Sequence, residues 1–531
     1  MKKTILVLLS TLLILTTLFS QTPPKTTPSF FDLYDQNRKE QKPNYISLDF
    51  ILTANYLFKQ QSITHLEESI LYPKFKKLAF GLKTNLLKGY TPHKKEALAY
   101  VLVLNELLGN RSVNVPKEAL GLAQKELKLI QKHQGIMNSP IAKVRIDYTQ
   151  YRVRGKYIKT PQLKSYFLAL KYMSYMPFMV NAHKATGISP KVAKEQMINA
   201  RFVAIALKPL MIEYQEIEKA ITKLSGEGDD LALSIIVNPP KDIGRLQSYL
   251  NSLKKFPKIS ERIIDTTKIK PHEIPKASLA LKLLPSRFTP DSYIFSQLTY
   301  PHVGVLQGRA DKLTSHIDGK AVRGYPTIGD LGAVLVAKLP LEHKYQGYKQ
   351  QVSKLKSVLP SLNSIYGYDF FIYHQLLKQN RTDSFKGYYT QSRYIMNLYQ
   401  KQSYTGGLKS IFIDERKRAY LEPKIGKILD LLIAEDRLLP NSKRFIGILK
   451  QLKTLDRKNN KFNRKDVVFL NNLDSKFKSI LEDKDTPIRV DIHTNPVDGK
   501  VMYEVLREPF VRVTNGFRGA FYNHGEVVGV R

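Results

Sequence analysis

The chain has 531 residues, and 84 Lys+Arg against 46 Asp+Glu leave a formal net charge of +38. A hydrophobic content of 43% and a charged content of 24% belong to a folding chain rather than a disordered one. Cysteine is absent, which excludes disulfide frameworks, Cys-ligated zinc, iron–sulfur clusters and cysteine nucleophiles; tryptophan is absent too, so 30 tyrosines and 24 phenylalanines carry the aromatic load.

Lys2 and Lys3 precede an apolar run, Ile5–Phe19, broken only by Ser10, Thr11, Thr16 and Thr17. The run is short for a membrane span, which needs about 18–20 apolar residues, and residues 1–20 read as an export signal. Ser20 suits cleavage and Leu18 does not, so an uncleaved N-terminal anchor is the alternative. No other stretch is long and apolar enough to span a bilayer, so the mature chain is expected to have no transmembrane span. Residues 21–45, with Pro23, Pro24 and Pro28, read as a Pro/Thr-rich solvated spacer.

From 46 to 485 the pattern is mostly helical. Ala97, Val101, Leu104 and Leu108 form one apolar stripe, with Gly109 as its stop. Leu163, Tyr166, Phe167 and Leu170 begin another. Gly226–Asp230 is a Gly-spaced acidic loop. It is either a calcium loop using Asp229 and Asp230, without EF-hand spacing, or a solvated turn whose aspartate caps a helix at Leu231. Pro271–Gly332, dense in Pro, Gly and polar residues, predicts long central loops. Within it, Arg287-Phe288-Thr289-Pro290-Asp291-Ser292 sets an Arg and an Asp across a Pro turn, as a salt bridge beside a helix N-cap or as part of a site. Phe445, Ile448, Leu449, Leu452 and Leu455 predict an amphipathic helix whose outer face carries Lys450, Lys453 and Arg457.

Residues 486–531 alternate as strands do. Asp498-Gly499 and Asn515-Gly516 mark hairpin turns and His524-Gly525 a third reversal, predicting one small antiparallel sheet packed on the helical domain. Strand alternation puts Asp491 and His493 on one face, opposite Val490 and Ile492. Such a pair binds a metal, orients a base or is a surface pair. The sequence has no HExxH, no GxSxG, no GxxxxGK[ST] and no recognisable nucleic-acid module; it names no cofactor and no reaction.

Several segments together resemble the bacterial and archaeal family catalogued as domain of unknown function 3160, over about Ser47 to Val528. Ser47-Leu48-Asp49-Phe50 and Leu66-Glu67-Glu68 resemble its Thr-Thr-Asp opening and acidic helix. Arg154-Gly155-Lys156-Tyr157, Tyr166-Phe167 and Met176-Pro177-Phe178 resemble its RGHY…YF…MxF block. Gly226–Asp230 is similar to its Gly-x-x-Asp-Asp loop, Arg287–Ser292 to RFxPDS, and Arg323–Gly332 to its Pro…Asp…Gly segment. Lys401-Gln402-Ser403-Tyr404 resembles KQSY, Tyr420-Leu421-Glu422-Pro423 YVEP, and Asp491-Ile492-His493-Thr494 DVHT. Where the family tends to read Arg-His-Asp-Thr before KQSY, this chain has Arg393-Tyr394-Ile395-Met396-Asn397. The resemblance implies a mainly helical, exported protein and carries no activity.

The expected architecture is mainly α: a large multi-helix body with long central loops and a small C-terminal antiparallel sheet. The leading functional expectation is a binding or structural protein of the cell envelope, in the periplasm, at the surface or secreted. Its basic surface suits anionic envelope polymers or a membrane surface. The rival is an envelope hydrolase or metal-dependent enzyme using Asp491, His493, Arg287 and Asp291, with Asp229 or Glu422 in the same cleft. Fractionation of the native host tests the export signal: the chain is expected outside the cytoplasm, and full-length chain in the cytosol contradicts it.

Overall fold

The structure is a computed structural model that describes residues 30–39, 44–253, 274–287, 289–298, 302–304, 345–358, 368–396, 398–399, 409–414, 419–421, 424–459, 461–481 and five later strands. Residues 1–20, expected to be an export signal, lie outside the described residues.

The chain starts with α1 (Phe30–Lys39), β1 (Asn44–Ile46) and α2 (Leu48–Leu66). A π-helical turn, Glu67–Leu71, carries α2 directly into α3 (Tyr72–Leu87). Then come α4 (Lys95–Leu107), α5 (Lys117–Lys132), β2 (Ile136–Asn138), β3 (Arg145–Asp147), α6 (Pro161–Tyr175), β4 (Phe178–Met179), α7 (Pro190–Leu207), α8 (Met211–Ser225), β5 (Leu231–Ala232) and α9 (Ile243–Ser252). The second half adds α10 (Ile274–Ala277), β6 (Ala280–Lys282), α11 (Pro290–Gln297), α12 (Tyr348–Val358), α13 (Tyr368–Lys378), α14 (Thr382–Met396), β7 (Lys409–Asp414), β8 (Ala419–Leu421), α15 (Gly426–Asp436), α16 (Lys443–Asp456), α17 (Arg464–Asn471) and α18 (Leu473–Lys478). The protein is mainly helical, with small sheets of two and three strands.

Local chemistry sets the helix ends. Ser47, Thr160, Ser189 and Asp242 each accept a backbone N–H of their helix's first turn, at α2, α6, α7 and α9. Proline follows the cap at α6 and α7, where its missing N–H costs nothing. Asn463 and Asp466 form a reciprocal capping box on α17. Gly109, expected as the stop of the Ala97 stripe, takes a left-handed φ of 73° just past α4. Ala97 to Asn105 are buried without a break, so α4 is a central helix surrounded on all sides. The Phe445 stripe also faces inward, with Phe58 stacked on Phe445 at 4.4 Å.

Three expectations change. Part of the 21–45 spacer is α1, because Phe31 and Tyr34 bury against Phe50 with ring centroids 5.4 and 4.6 Å away. Arg38 then holds the helix down by a two-point contact to Asp474 on α18, at 2.6 and 3.0 Å. Leu231 begins β5 and a short 3-10 turn, Leu233–Ile236, rather than a helix. The Pro271–Gly332 loops contain β6, the middle strand of a sheet in which β4 runs antiparallel and β5 parallel to it; Ala280–Lys282 are fully buried there.

The later strands also differ from one sheet. β9 (Arg489–Thr494) pairs antiparallel with β10 (Val501–Leu506), and β11 (Phe510–Thr514) with β12 (Phe517–Tyr522). β13 (His524–Val530) then returns to β10, whereas β12 fills its second edge with β7. Two three-stranded sheets result.

A buried ion cluster joins helices far apart in sequence. Lys59 on α2 donates to Asp369 on α13 at 3.1 Å and to Glu435 on α15 at 2.8 Å. Tyr388 and Ser392 of α14 donate to the same Asp369 oxygen. Next to it, the Asn55 amide donates to both oxygens of Asp436. Burial pushes the Glu435 carboxyl up to about 7 while Lys59 pulls it back. Between its ordinary 4.5 and about 7, the folded protein therefore keeps a proton that the unfolded chain has released. Stability from this group falls as pH rises through that window and levels off above it. Glu435→Gln, which stays neutral, is expected to flatten that slope, so urea unfolding at about pH 5 and about pH 8 should show the wild type losing on the order of 2 kcal/mol more than the variant. Equal losses contradict the assignment.

Candidate functional site

The Gly226–Asp230 loop and the Arg287 segment, read separately in the sequence, pack backbone to backbone. Gly228 and Arg287 form an antiparallel bridge, and Asp229 N–H donates to the Ser286 carbonyl at 3.0 Å. Two glycines make this possible. Gly226 ends α8 at φ 81°, a left-handed value that side chains resist. A Cβ on Gly228 would stand 3.1 Å from Pro285. Arg287 N–H donates in turn to the Tyr399 carbonyl at 2.9 Å, which brings in the segment before Lys401.

Arg287 itself is 1% exposed. Its Nη1 donates to Thr222 Oγ1 at 3.3 Å. Burial pulls the guanidinium below its ordinary value, and Glu218, Tyr214, Asp229 and Glu227 oppose that shift. Glu218 is half-buried and Glu227 exposed.

Beneath it lies a second polar centre on the π turn. Glu67 is fully buried and accepts hydrogen bonds from Tyr157 at 2.8 Å and Tyr399 at 2.7 Å. Lys156 Nζ stands 2.6 Å from the other Glu67 oxygen, as a close ion pair rather than an aligned hydrogen bond. Tyr166 and Tyr399 share a hydroxyl–hydroxyl bond at 2.8 Å. Burial drives the Lys156 ammonium down against the pull of Glu67, and holds Tyr157, Tyr166 and Tyr399 well above the ordinary tyrosine value. Tyr166 also feels the Arg287 charge, so one polar seam runs from Lys156 through Glu67, Tyr399 and Tyr166 toward Arg287. Gly155, at φ 59°, opens the Lys156 turn; a Cβ there would stand 3.1 Å from the Tyr394 hydroxyl. π turns recur at functional positions in helices because the extra residue re-aims a side chain.

The expected residues divide. Arg287 and Asp229 come together. Asp230 pairs with Lys282 at 2.7 Å, both side chains buried, and Asp229 is buried too, so the two aspartates of the loop face the interior while Glu227 stays exposed. Asp291, expected as a helix N-cap, is instead the second residue of α11, and it accepts from Tyr389 at 2.8 Å. The expected Arg287–Asp291 salt bridge is not formed, since Arg287 turns to Thr222 instead. Asp491 and His493 lie in β9 opposite Tyr503 and Met502, where a register irregularity intervenes; their side chains and Glu422 lie outside the described residues. Among the described residues, no group of three or more His, Asp or Glu is placed to hold a metal ion. Glu67, Lys156 and Tyr399 escape any spacing rule, because three separate elements supply them.

A different surface forms over residues 443–478. Lys443, Arg444, Lys450, Arg457, Lys461, Arg464, Lys465 and Lys476 are exposed. The acidic residues there are all engaged: Asp456 accepts the N–H groups of Ile425 and Gly426, Asp466 binds Asn463 and Lys458, and Asp474 binds Arg38. Lys453 pairs with Asp430. The eight exposed cations form no ion pair among the described residues, and half-buried Lys478 donates to the Phe31 carbonyl at 3.4 Å.

The seam makes a stability prediction. Glu67→Gln leaves the Lys156 ammonium buried beside a neutral group and is expected to cost about 3–5 kcal/mol. Adding Lys156→Met should recover much of that loss. Denaturant midpoints of the two single variants and the double variant decide; a double variant as unstable as the sum of the singles contradicts the pairing.

No helix among the described residues is long and apolar enough to cross a membrane. No curated protein and no solved structure matches the chain. One family model does, described as a protein of unknown function, DUF3160, over residues 14–427. The match takes in the π turn, the Lys156 turn, the acidic loop, the Arg287 segment and Tyr399, and it ends before Asp491–Thr494. The polar seam thus lies wholly within the matched segment, and the chain belongs to the DUF3160 family.

Proposed function

We propose that this is an exported cell-envelope protein that binds anionic envelope components, through the cationic surface of α16–α18. The strands of 486–531 would form an appendage on the 46–485 helical domain. The observation that carries the reading is the fate of the carboxylates over residues 443–478: Asp456, Asp466 and Asp474 are spent on helix caps and internal pairs. Exposed lysines and arginines are therefore left to act outward as an uncompensated field. Such a field raises the local concentration of anionic polymer and weakens over the ~8–10 Å screening length of physiological salt. In the rival enzyme reading, Arg287 and Asp291 share a cleft; here they take different partners, Thr222 and Tyr389.

The test compares equal charge changes at two places. Lys450, Arg457, Arg464 and Lys465 replaced by Glu should lower binding to anionic vesicles by about tenfold or more at low salt. The same replacement at Lys117, Lys125, Lys128 and Lys132, exposed on α5, should have a much smaller effect. Equal losses would mean that net charge alone attracts the vesicle, and binding indifferent to salt would remove the electrostatic reading.

A further inference from the structure

The exposed cations of α16 fall on one line. Lys443, Lys450 and Arg457, the last at the C-cap, follow one another at intervals of seven residues, and all three are exposed. Positions seven apart share a helix face, drifting by only about 20° per step. The helical rise sets them about 10 Å apart, in a row about 21 Å long. Neighbouring cations turn elsewhere: Lys453 pairs with Asp430 on α15, and Arg444 reaches Ser479 at 3.4 Å. Asp456 is the one carboxylate from 443 to 465, and it is taken up by the N–H groups of Ile425 and Gly426. Beyond Arg457, exposed Arg464 and Lys465 open α17 and continue the positive field.

Between Lys443 and Lys450 stands Gly447, exposed and in the helix interior. A Cβ there would meet nothing within 4 Å, so packing does not require a glycine. Inside a helix, glycine is less favourable than any residue except proline. What the missing side chain provides is access: the helix backbone lies open between two cations. The surroundings narrow the ligand. A row along one helix matches a chain better than a plane, and α16 exposes no large apolar side chain to enter a bilayer. Phe445, Phe469 and Phe477 are buried and Phe462 packs half-buried against the core, so the face has no aromatic platform for nucleic-acid bases. We propose that the outer face of α16 is a track for a linear, base-free polyanion, a phosphate-linked chain laid from Lys443 across Gly447 and Lys450 to Arg457. The proposal rests on the reading of α16–α18 as an outward cationic surface, and narrows its ligand to a chain at least about 21 Å long.

The experiment titrates the purified full chain with long-chain inorganic polyphosphate, tripolyphosphate, oligodeoxythymidylate and phosphatidylglycerol vesicles over a range of salt. Per phosphate, the long polymer should bind at least about tenfold more tightly than tripolyphosphate, which is too short to follow the row. Lys443→Gln, Lys450→Gln and Arg457→Gln should each lower the slope of log K against log salt for polyphosphate by about one, whereas Lys128→Gln on α5 should leave it unchanged. Gly447→Gln keeps every charge and supplies a better helix former, so it should fold, yet weaken polyphosphate binding by about fivefold or more. Gly121→Gln on α5, where a Cβ also meets nothing within 4 Å, should not weaken it. Tripolyphosphate or oligodeoxythymidylate binding as tightly per phosphate as the long polymer, slopes unmoved by the three row variants, or full affinity in Gly447→Gln each overturns the track. Vesicle binding should persist in Gly447→Gln. Charge reversal at Lys450, Arg457, Arg464 and Lys465 tests the cationic surface separately: if vesicle binding survives that reversal, the surface reading fails, whereas its loss together with failed polymer tests removes the track alone.

Discussion

A charge sealed inside a protein must meet an opposite charge, a hydrogen-bond set or a proton, because the interior solvates it so poorly. That constraint organises this molecule. Glu67 lies at full depth on the π turn that joins α2 to α3, and the residues that satisfy it come from the Lys156 turn and from Tyr399, more than half the chain away. Lys59 imposes the same demand on α13 and α15. Apolar burial is non-directional and would tolerate several arrangements of so many helices. The buried ion pairs are directional: each names which segment must sit opposite which.

The same constraint explains why function and fold are hard to separate here. The hydrogen bonds that satisfy Glu67 also position Tyr399, and the Tyr399 carbonyl holds the backbone of Arg287. Arg287 is then aimed by Thr222 and by the Gly226–Gly228 turn, where a Cβ on Gly228 would crowd Pro285. The interior network thus sets the position of the Arg287 guanidinium, whose Nε and Nη2 have no hydrogen-bond partner among the described residues. On the outside the logic is reversed. Over residues 443–478 the acids are drawn into caps and pairs, and the cations are left facing solvent.

Much of the helical text was legible because period and burial coincide. The Ala97 stripe, the Leu163 stripe and the Phe445 stripe all face inward. The errors have local causes. Proline and threonine in residues 21–28 masked the aromatic pair Phe31 and Tyr34, which anchors α1. The polar look of Gly226–Asp230 suggested solvent, but Lys282 from β6 reaches Asp230 inside the core, and no local pattern encodes a partner 52 positions away. Arg287 was singled out from its neighbours in sequence, and its real neighbours are Thr222, Gly228 and Tyr399. Glu67 and Lys156 were visible only as parts of family-like blocks, since charge complementarity across 89 positions leaves no periodic trace.

If Glu67 is the hub that holds these segments in register, neutralising it should loosen them together. Amide hydrogen exchange on the full chain, wild type against Glu67→Gln, measures this directly. The structure predicts a joint loss of protection in residues 154–158, along α6 at 161–175 and at the Arg287–Tyr399 contact. Loss confined to the π turn at 67–71, with the Lys156 turn and Arg287 unchanged, would show that those segments stand without it and would contradict the account.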